Sequence, residues 1–187
     1  MKILILTRKF VDGDDVSEYV KKLAETLVEE GHEASVLAFD DGGYYSVDER
    51  VEVERVPLHY EGDSLYSWSM MLNNEMKEKA REYLEEEDFD IIHANDWVTV
   101  PGATAIKKHF ERPFVLTVHS TEDERGFNDP NSEVISEMEW KGCYNADRIF
   151  VNSQSTYDSV VHDLDVPEGK LELLNPLSDE WTESVLK

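Results

Sequence analysis

The chain alternates short apolar segments with longer amphipathic ones. Runs of β-type residues predict strands at residues 3–6, 34–39, 51–56, 89–93, 114–118, 148–151 and 171–174. Between these runs, apolar residues recur at the spacing of helices that bury one face, which predicts helices at residues 16–27, 64–87, 98–110, 132–145 and 155–164. This alternation is typical of an α/β domain with a Rossmann-like, mostly parallel sheet and helices on both faces.

Glycine and proline mark several ends of these elements. Gly31 stands where the first helix would be capped at its C-terminal end, and Pro101 lies in a first helical turn, where proline is tolerated. Pro57 ends the short third strand, which predicts an edge position in the sheet. Since no proline-rich or low-complexity linker divides the chain, we expect a single domain over residues 1–187.

Candidate chemistry follows the predicted strands, because ligands of open parallel sheets bind at the carboxyl ends of the strands. Polar segments lie there at residues 10–15, 93–97 and 119–125. His119 follows the strand at 114–118 directly and would point into the crevice, where an imidazole can bond a sugar hydroxyl or a phosphate oxygen. The alternative is a structural histidine that ties down a loop. Glu122 and Arg125 would either orient His119 or simply be solvated.

A second candidate is the pair Asp96 and Trp97, which comes just after the predicted strand at 89–93. A carboxylate beside an aromatic ring is a common way to hold a sugar, since the carboxylate accepts from hydroxyls and the ring covers an apolar face. In the alternative interpretation, Asp96 caps the next helix and Trp97 packs beneath it.

Several other kinds of site are disfavoured. Asp-x-Asp pairs at residues 88–90 and 163–165 match metal-dependent glycosyltransferases, but such spacing arises by chance in a chain this acidic, so we expect no metal site. The sequence has no nucleophile-elbow, dinucleotide-binding or P-loop motif. Cys143 is the single cysteine, which excludes an intramolecular disulfide.

The balance of charge constrains the partners. The chain has 42 acidic and 18 basic residues, a net charge of −24, which argues against nucleic acid or an anionic membrane as a partner. The hypothesis that fits this excess is a salt-rich cytoplasm, and the alternative is an ordinary acidic mesophilic protein. The apolar run at residues 3–6 is far shorter than a membrane span, so we expect a soluble, cytoplasmic protein.

Sequence motifs in these segments carry a resemblance to a known family. Residues 93–97, His-Ala-Asn-Asp-Trp, are similar to an HAHDW segment, and residues 119–122, His-Ser-Thr-Glu, are similar to an HSTE form. Further matches lie at residues 139–140, 145–148, 151–153 and 166–170. Together they resemble the N-terminal domain of retaining glycosyltransferases with the GT-B fold, which has two facing Rossmann-like domains. Glycogen and starch synthases and the wider family 4 enzymes are the most similar.

The resemblance implies a function and a set of site residues. Such enzymes transfer glucose from UDP-glucose or ADP-glucose to a carbohydrate acceptor with retention of the anomeric configuration, without a metal or other cofactor. By resemblance, His119 reaches the donor sugar and its diphosphate, and Asp96 and Trp97 lie near the acceptor glucan. Glu122 and Gly13 are the other residues expected to bind substrate.

Two departures from the family pattern qualify this expectation. Asp14 and Asp15 occupy the position of a Gly-Gly pair whose backbone approaches the donor diphosphate, with only Gly13 beside them. The chain also stops about where a linker to a donor-binding C-terminal domain would begin. We therefore expect an acceptor-side half that needs a donor-binding domain in cis or in trans, from a separate partner or a homo-oligomer. The alternative is a non-catalytic carbohydrate-binding or regulatory half-domain.

The salt hypothesis makes a direct prediction. Raising the salt concentration from about 0.1 M to 1 M shortens the Debye length from ~10 Å to ~3 Å, so repulsion among the carboxylates should weaken. We expect the midpoint of thermal unfolding, followed by circular dichroism, to rise over this range. Equal stability at both concentrations would contradict a salt-adapted protein.

Overall fold

The computed structural model describes residues 1–86, 88–126, 130–174 and 184. Strands are β1 (Lys2–Thr7), β2 (Glu33–Phe39), β3 (Glu52–Val56), β4 (Ile91–Asn95), β5 (Phe114–Val118), β6 (Arg148–Val151) and β7 (Leu171–Leu173). Helices are α1 (Asp15–Glu29), α2 (Leu65–Glu86), α3 (Val100–Phe110), α4 (Glu122–Arg125), α5 (Ser132–Asn145) and α6 (Gln154–His162). Short 3₁₀ turns cover Trp97–Thr99 and Glu168–Lys170.

The strands form one sheet in the order β3-β2-β1-β4-β5-β6-β7, and every pairing is parallel. From β1 the chain adds strands on one side as far as β3 and then, from β4, on the other side. The strand order therefore reverses between β1 and β4, and the crevice expected for a ligand lies between their carboxyl ends. The predicted Rossmann-like α/β fold is confirmed, and so is the edge position of β3.

Helices cover both faces of this sheet. Along β1, successive side chains point alternately to one face and to the other. Leu4 and Leu6 belong to the core cluster that includes residues of α2, α3 and α5. Ile3 and Ile5 belong to the cluster on the other face, where α1 packs. Strands buried on both sides in this way read as continuous apolar runs, which is why β1 stands out in the sequence.

Most predicted elements agree closely with the structure, with β5, α5 and β6 at the predicted residues. The fourth strand is an exception, since it runs over Ile91–Asn95 and not over 89–93. His93 and Asn95, taken for a polar strand end, are buried inside the strand, where each side chain has a hydrogen-bond partner. Gly31 has the left-handed conformation expected of a helix C-cap, with φ 86°.

Within the described residues, none of the helices is both long enough and apolar enough to cross a membrane.

Candidate active site

A cleft of about 400 Å³ opens at the carboxyl edge of the sheet, where β1 and β4 end. Asp96, Trp97 and Glu122, three of the residues predicted to bind substrate, line it. The other lining residues come from the ends of β1 and β4, the segments that follow these strands, the starts of α1 and α2, and α4 and α5: Thr7, Arg8, Lys9, Asp14, Val16, Leu65, Asn95, Val98, Arg125 and Ile135. His119 and Gly13 are not among them.

His119 nevertheless lies against this wall through two neighbours of the cleft. Its backbone N–H donates to Asp96 Oδ1 at 2.8 Å, and its Nε2 lies 3.1 Å from Asn95 Oδ1. The Asn95 amide nitrogen donates to the carbonyl of Leu6, so the Asn95 oxygen faces the ring and Nε2 carries the hydrogen. Nδ1 is then the ring nitrogen that can accept from a ligand, and no described residue forms a hydrogen bond with it.

A buried chain of polar groups supports His119 from below. The ring of Tyr19, on α1, packs edge to face with the imidazole, with centroids 4.7 Å apart. The Tyr19 hydroxyl bonds Thr117 Oγ1 at 3.0 Å, and His93 Nε2 bonds the same oxygen at 2.7 Å. Burial, together with the charge that His119 can carry, lowers the pKa of His93 to about 3. His93 is therefore neutral at physiological pH and has a structural role.

Asp96 joins the ends of two strands. It has a positive φ of 57°, and its carboxylate accepts from the His119 amide, while its own N–H donates to Thr117 O at 2.9 Å. The side chain makes no capping bond to the turn that follows, so the interpretation of Asp96 as a helix cap is wrong. The carboxylate fixes the backbone at the point where His119 leaves β5.

Trp97 agrees better with the alternative interpretation, in which its ring packs beneath the cleft, than with an exposed ring that stacks on a sugar. The residue lines the cleft but is only 5% exposed, and it belongs to the core cluster beneath the cleft. Little of the indole is therefore available to a sugar ring in this conformation.

Glu122 and the partly exposed Arg125 form a charged cluster with the buried Glu139 of α5. The expectation that they are simply solvated is wrong for Glu122, which is buried. Arg125 Nη2 donates to Glu122 Oε2 at 3.1 Å and to Glu139 Oε1 at 2.7 Å. The helix α4 that carries the pair begins with a capping box between Thr121 and Glu124. A Thr-x-x-Glu pattern in the sequence is the signal that could have predicted this short helix.

Two cations line the cleft without a direct ion-pair partner among the described residues. Arg8 and Lys9 follow β1 and line the cleft, and no described residue forms a hydrogen bond or ion pair with either side chain. Arg125, by contrast, is bound to two carboxylates. The cleft therefore combines apolar lining with two unbonded cations and with the carboxylates of Asp14, Asp96 and Glu122.

The Asp-x-Asp pairs lie away from this cleft or in local contacts. Asp90 Oδ2 accepts from the Lys2 amide at the amino end of β1, and Asp88 pairs with Arg112. Asp163 accepts from Ser159 Oγ at 2.6 Å. Among the residues that the structure describes, no three His, Cys, Asp or Glu side chains form a group that could hold a metal.

Comparison with models of protein families identifies the family of this chain. A model described as Glycosyltransferase Family 4 matches residues 16–177. This chain belongs to glycosyltransferase family 4.

Sequence relatives of this family 4 domain are longer than the chain. An uncharacterised glycosyltransferase of Methanocaldococcus jannaschii is 30% identical over 190 residues, which cover 97% of this chain and 47% of the relative. A glycogen synthase of Mycobacterium tuberculosis is 25% identical over 141 residues, which cover 65% of this chain and 34% of the relative. The chain thus spans about half, or less, of the length of these curated relatives.

Solved structures show the same fold. Sucrose-phosphate synthase from Thermosynechococcus elongatus superposes with a TM-score of 0.75 at 17% identity, covering 92% of this chain and 47% of that one. The catalytic domain of starch synthase IV from Arabidopsis thaliana, bound to ADP and acarbose, gives a TM-score of 0.67 at 12% identity, covering 93% and 51%. The chain therefore has the fold of an N-terminal GT-B glycosyltransferase domain.

The structure gives a local reason for Asp14, one of the two aspartates at the position where the resemblance leads us to expect a Gly-Gly pair. Asp14 is the N-cap of α1, and its Oδ2 accepts from the Ser17 amide at 3.0 Å and from Ser17 Oγ at 2.8 Å. The carboxylate is thus directed toward its own helix. Gly13 is exposed, with φ 77° and open space where a Cβ would lie.

The capping role of Asp14 can be tested by substitution. Asp14→Ala should lower the free energy of unfolding by about 1 kcal/mol, because the Ser17 amide loses its acceptor. Asp14→Ser keeps a capping oxygen and should stay close to wild type, and the exposed neighbour Asp15→Ala should cost no more than a few tenths of a kcal/mol. Urea unfolding measures all three. Equal losses for D14A and D15A would contradict the cap.

Proposed function

We propose that this domain is the acceptor-side half of a retaining, glycogen synthase-like glycosyltransferase. It would take part in transferring glucose from UDP-glucose or ADP-glucose to a glucan or another carbohydrate acceptor. Residues 1–187 would form one domain, completed by a donor-binding domain in cis or in trans. The family membership and the fraction of its relatives that the chain spans support this division. A single buried cysteine fits a reducing, cytoplasmic setting.

The observation that carries the proposal is the pair of unpaired cations in the cleft. In a chain of net charge −24, Arg8 and Lys9 have no partner among the described residues and share one cleft with Asp96. Their positive charge suits the diphosphate of a nucleotide-sugar, whose negative charge grows as it leaves the anomeric carbon.

His119 would act beside that leaving group. With Nε2 bonded to Asn95, Nδ1 can accept from a sugar hydroxyl when the ring is neutral and donate to a phosphate oxygen when it is protonated. The protein would then accelerate transfer by positioning the reactants and by stabilising an oxocarbenium-like centre next to the departing diphosphate. Asp96 and Glu122 would lie on the acceptor side of the same cleft.

The cation pair gives a test of donor binding. The double variant Arg8→Ala/Lys9→Ala should weaken UDP-glucose and ADP-glucose binding by about tenfold or more, the effect expected from losing charge-assisted contacts. Lys77→Ala/Lys108→Ala, which removes the same charge outside the cleft, should change the affinity by less than about twofold. Chemical-shift titration of the cleft amides measures the dissociation constants.

Two results would count against the enzymatic proposal. Equal losses in the two double variants would mean that net charge alone governs binding. Glucan binding without sugar transfer from UDP-glucose or ADP-glucose, even after a donor-binding domain is supplied, would point to a binding module instead.

A second candidate function, a carbohydrate-binding module, is favoured by an exposed aromatic pair on α5. Trp140 is 45% exposed and Tyr144 is 70% exposed, and their rings stack with centroids 5.4 Å apart and planes at 19°. The ion pair between Glu137 and Lys141 flanks them on the same side of the helix. Side chains of this kind bury ~150–250 Å² each, so the patch is far smaller than the ~800 Å² per partner of a stable protein interface. Rings next to a carboxylate suit a sugar.

Affinity electrophoresis through gels that contain glycogen tests this second function. Trp140→Ala/Tyr144→Ala should abolish any retardation by glycogen if the pair binds the glucan. Tyr44→Ala removes an exposed tyrosine elsewhere and should leave the retardation unchanged. Retardation that survives the loss of both rings would exclude the pair as a glucan site.

A further inference from the structure

Glu139 is a buried carboxylate beside the cleft that the proposed chemistry does not use. It lies on the inner face of α5 and is 2% exposed. Its two oxygens have different partners, since Oε2 accepts from the Glu122 amide at 3.0 Å and Oε1 accepts from Arg125 Nη2 at 2.7 Å. Both contacts join α5 to the segment that follows β5.

Arg125 extends this connection to the neighbour of His119. Its Nη1 donates to both the carbonyl oxygen and the hydroxyl of Ser120, each at 3.0 Å. One guanidinium therefore joins Glu139, Glu122 and Ser120. Glu122 is held in turn by Ser132 Oγ, which donates to its Oε1 at 2.7 Å. The position of the strand-end segment that carries His119 thus depends on the carboxylate of Glu139.

The surroundings of Glu139 decide its charge. Glu122 and Arg125 face it from α4, Asp96 faces it from the end of β4, and Cys143 lies on its own helix. Burial is the largest influence and raises the pKa of Glu139 to about 7, against the lowering effects of the Glu122 amide and Arg125, and Asp96 adds to the rise. The burial that makes this carboxylate a structural anchor also brings its proton within the physiological range.

Protonation of Glu139 would disturb its contacts, because both of its partners are donors. An ionised carboxylate accepts from the Glu122 amide and from Arg125 together. A protonated carboxyl carries a hydrogen on one oxygen, and that oxygen becomes a donor and a weaker acceptor toward its present partner. The charge of the group formed by Glu122, Arg125 and Glu139 then changes from −1 to 0, and the hold on Arg125 weakens. Because Arg125 lines the cleft, protonation of Glu139 also changes the position of a cation in the cleft.

We propose that Glu139 is a positioning residue that, when ionised, locks Arg125 and the segment after β5 and, when protonated, frees Arg125 for an anionic ligand in the cleft. The ligand in question is a nucleoside diphosphate sugar, and this part rests on the proposed function. The positioning role of Glu139 does not depend on the proposed function. Binding of the anion is then coupled to uptake of a proton by Glu139.

Proton-coupled positioning can be measured without any ligand. In the wild type, the NMR signals of the Glu122 amide and the Arg125 Nε–H should shift with an inflection near pH 7, as Glu139 titrates. Glu139→Gln should remove that inflection, whereas Glu133→Gln, an exposed residue on the same helix, should keep it. No inflection in the wild type, or an equal inflection in E139Q, would overturn the proposal.

A second variant keeps the test decisive if E139Q does not fold. Arg125→Gln removes one of the groups that lower the pKa of Glu139, so the inflection, followed on the Glu122 amide, should move to higher pH. An unchanged or lower inflection in R125Q would overturn the assignment to Glu139.

Coupling to the ligand is tested with UDP-glucose, whose diphosphate diester does not titrate between pH 6 and 8. Wild type should bind it about fivefold more tightly at pH 6 than at pH 8, the ratio expected if binding raises the pKa of Glu139 by one unit from about 7. E139Q should show a clearly smaller ratio over the same range, because the proton uptake of Glu139 is lost. If the affinity for UDP-glucose depended on pH equally in wild type and E139Q, the proposed release of Arg125 would be wrong. Failure to bind at either pH, even after a donor-binding domain is supplied, would reject that release and the proposed function, while the ligand-free titration still decides the positioning role.

Discussion

The geometry of the site depends on the hydrogen bond from the His119 amide to the carboxylate of Asp96, 2.8 Å long, which joins the ends of β4 and β5. Parallel strands are bonded along their length, but beyond their last residues each loop needs its own anchor. Asn95 adds a second connection, since its amide bonds both the His119 ring and the Leu6 carbonyl. The ends of three neighbouring strands are thereby fixed in one arrangement before any ligand arrives.

Directly beneath these hydrogen bonds, the core contains polar side chains, whereas the core of a parallel sheet is usually apolar. His93, Thr117 and Tyr19 lie buried between α1 and the sheet and are joined by hydrogen bonds of 2.7 Å and 3.0 Å. Such a network costs little when its members are paired, and it specifies one arrangement of side chains more strictly than an apolar contact does. The consequence is a fixed floor under His119, provided by a tyrosine from a helix that lies far away in the sequence.

Hydrophobic periodicity predicted the elements, and the rule about strand ends located the cleft, because both depend on local patterns. β5 and α5 lie at the predicted residues, and Asp96, Trp97 and Glu122 do line the cleft. The shift of β4 by two residues arises because His93 and Asn95 are buried with hydrogen-bond partners from other strands, and polarity alone does not reveal a partner. Tyr19 and Glu139 were not predicted as site residues for the same reason. Each reaches His119 or Arg125 only through tertiary packing.

The charges of the cleft contrast with those of the whole chain. A net charge of −24 creates a field that repels anions at long range, whereas Arg8 and Lys9 attract them only at short range. Salt reduces the first effect more than the second, because screening removes interactions beyond a Debye length of ~8 Å at physiological ionic strength and ~3 Å at 1 M, while contacts inside a partly desolvated cleft persist. An acidic surface and an anion-binding cleft are therefore compatible, and they become more so as the salt concentration rises. The same reasoning explains why the ion pair between Arg125 and the buried Glu139 matters more to the cleft than any of the exposed carboxylates around it.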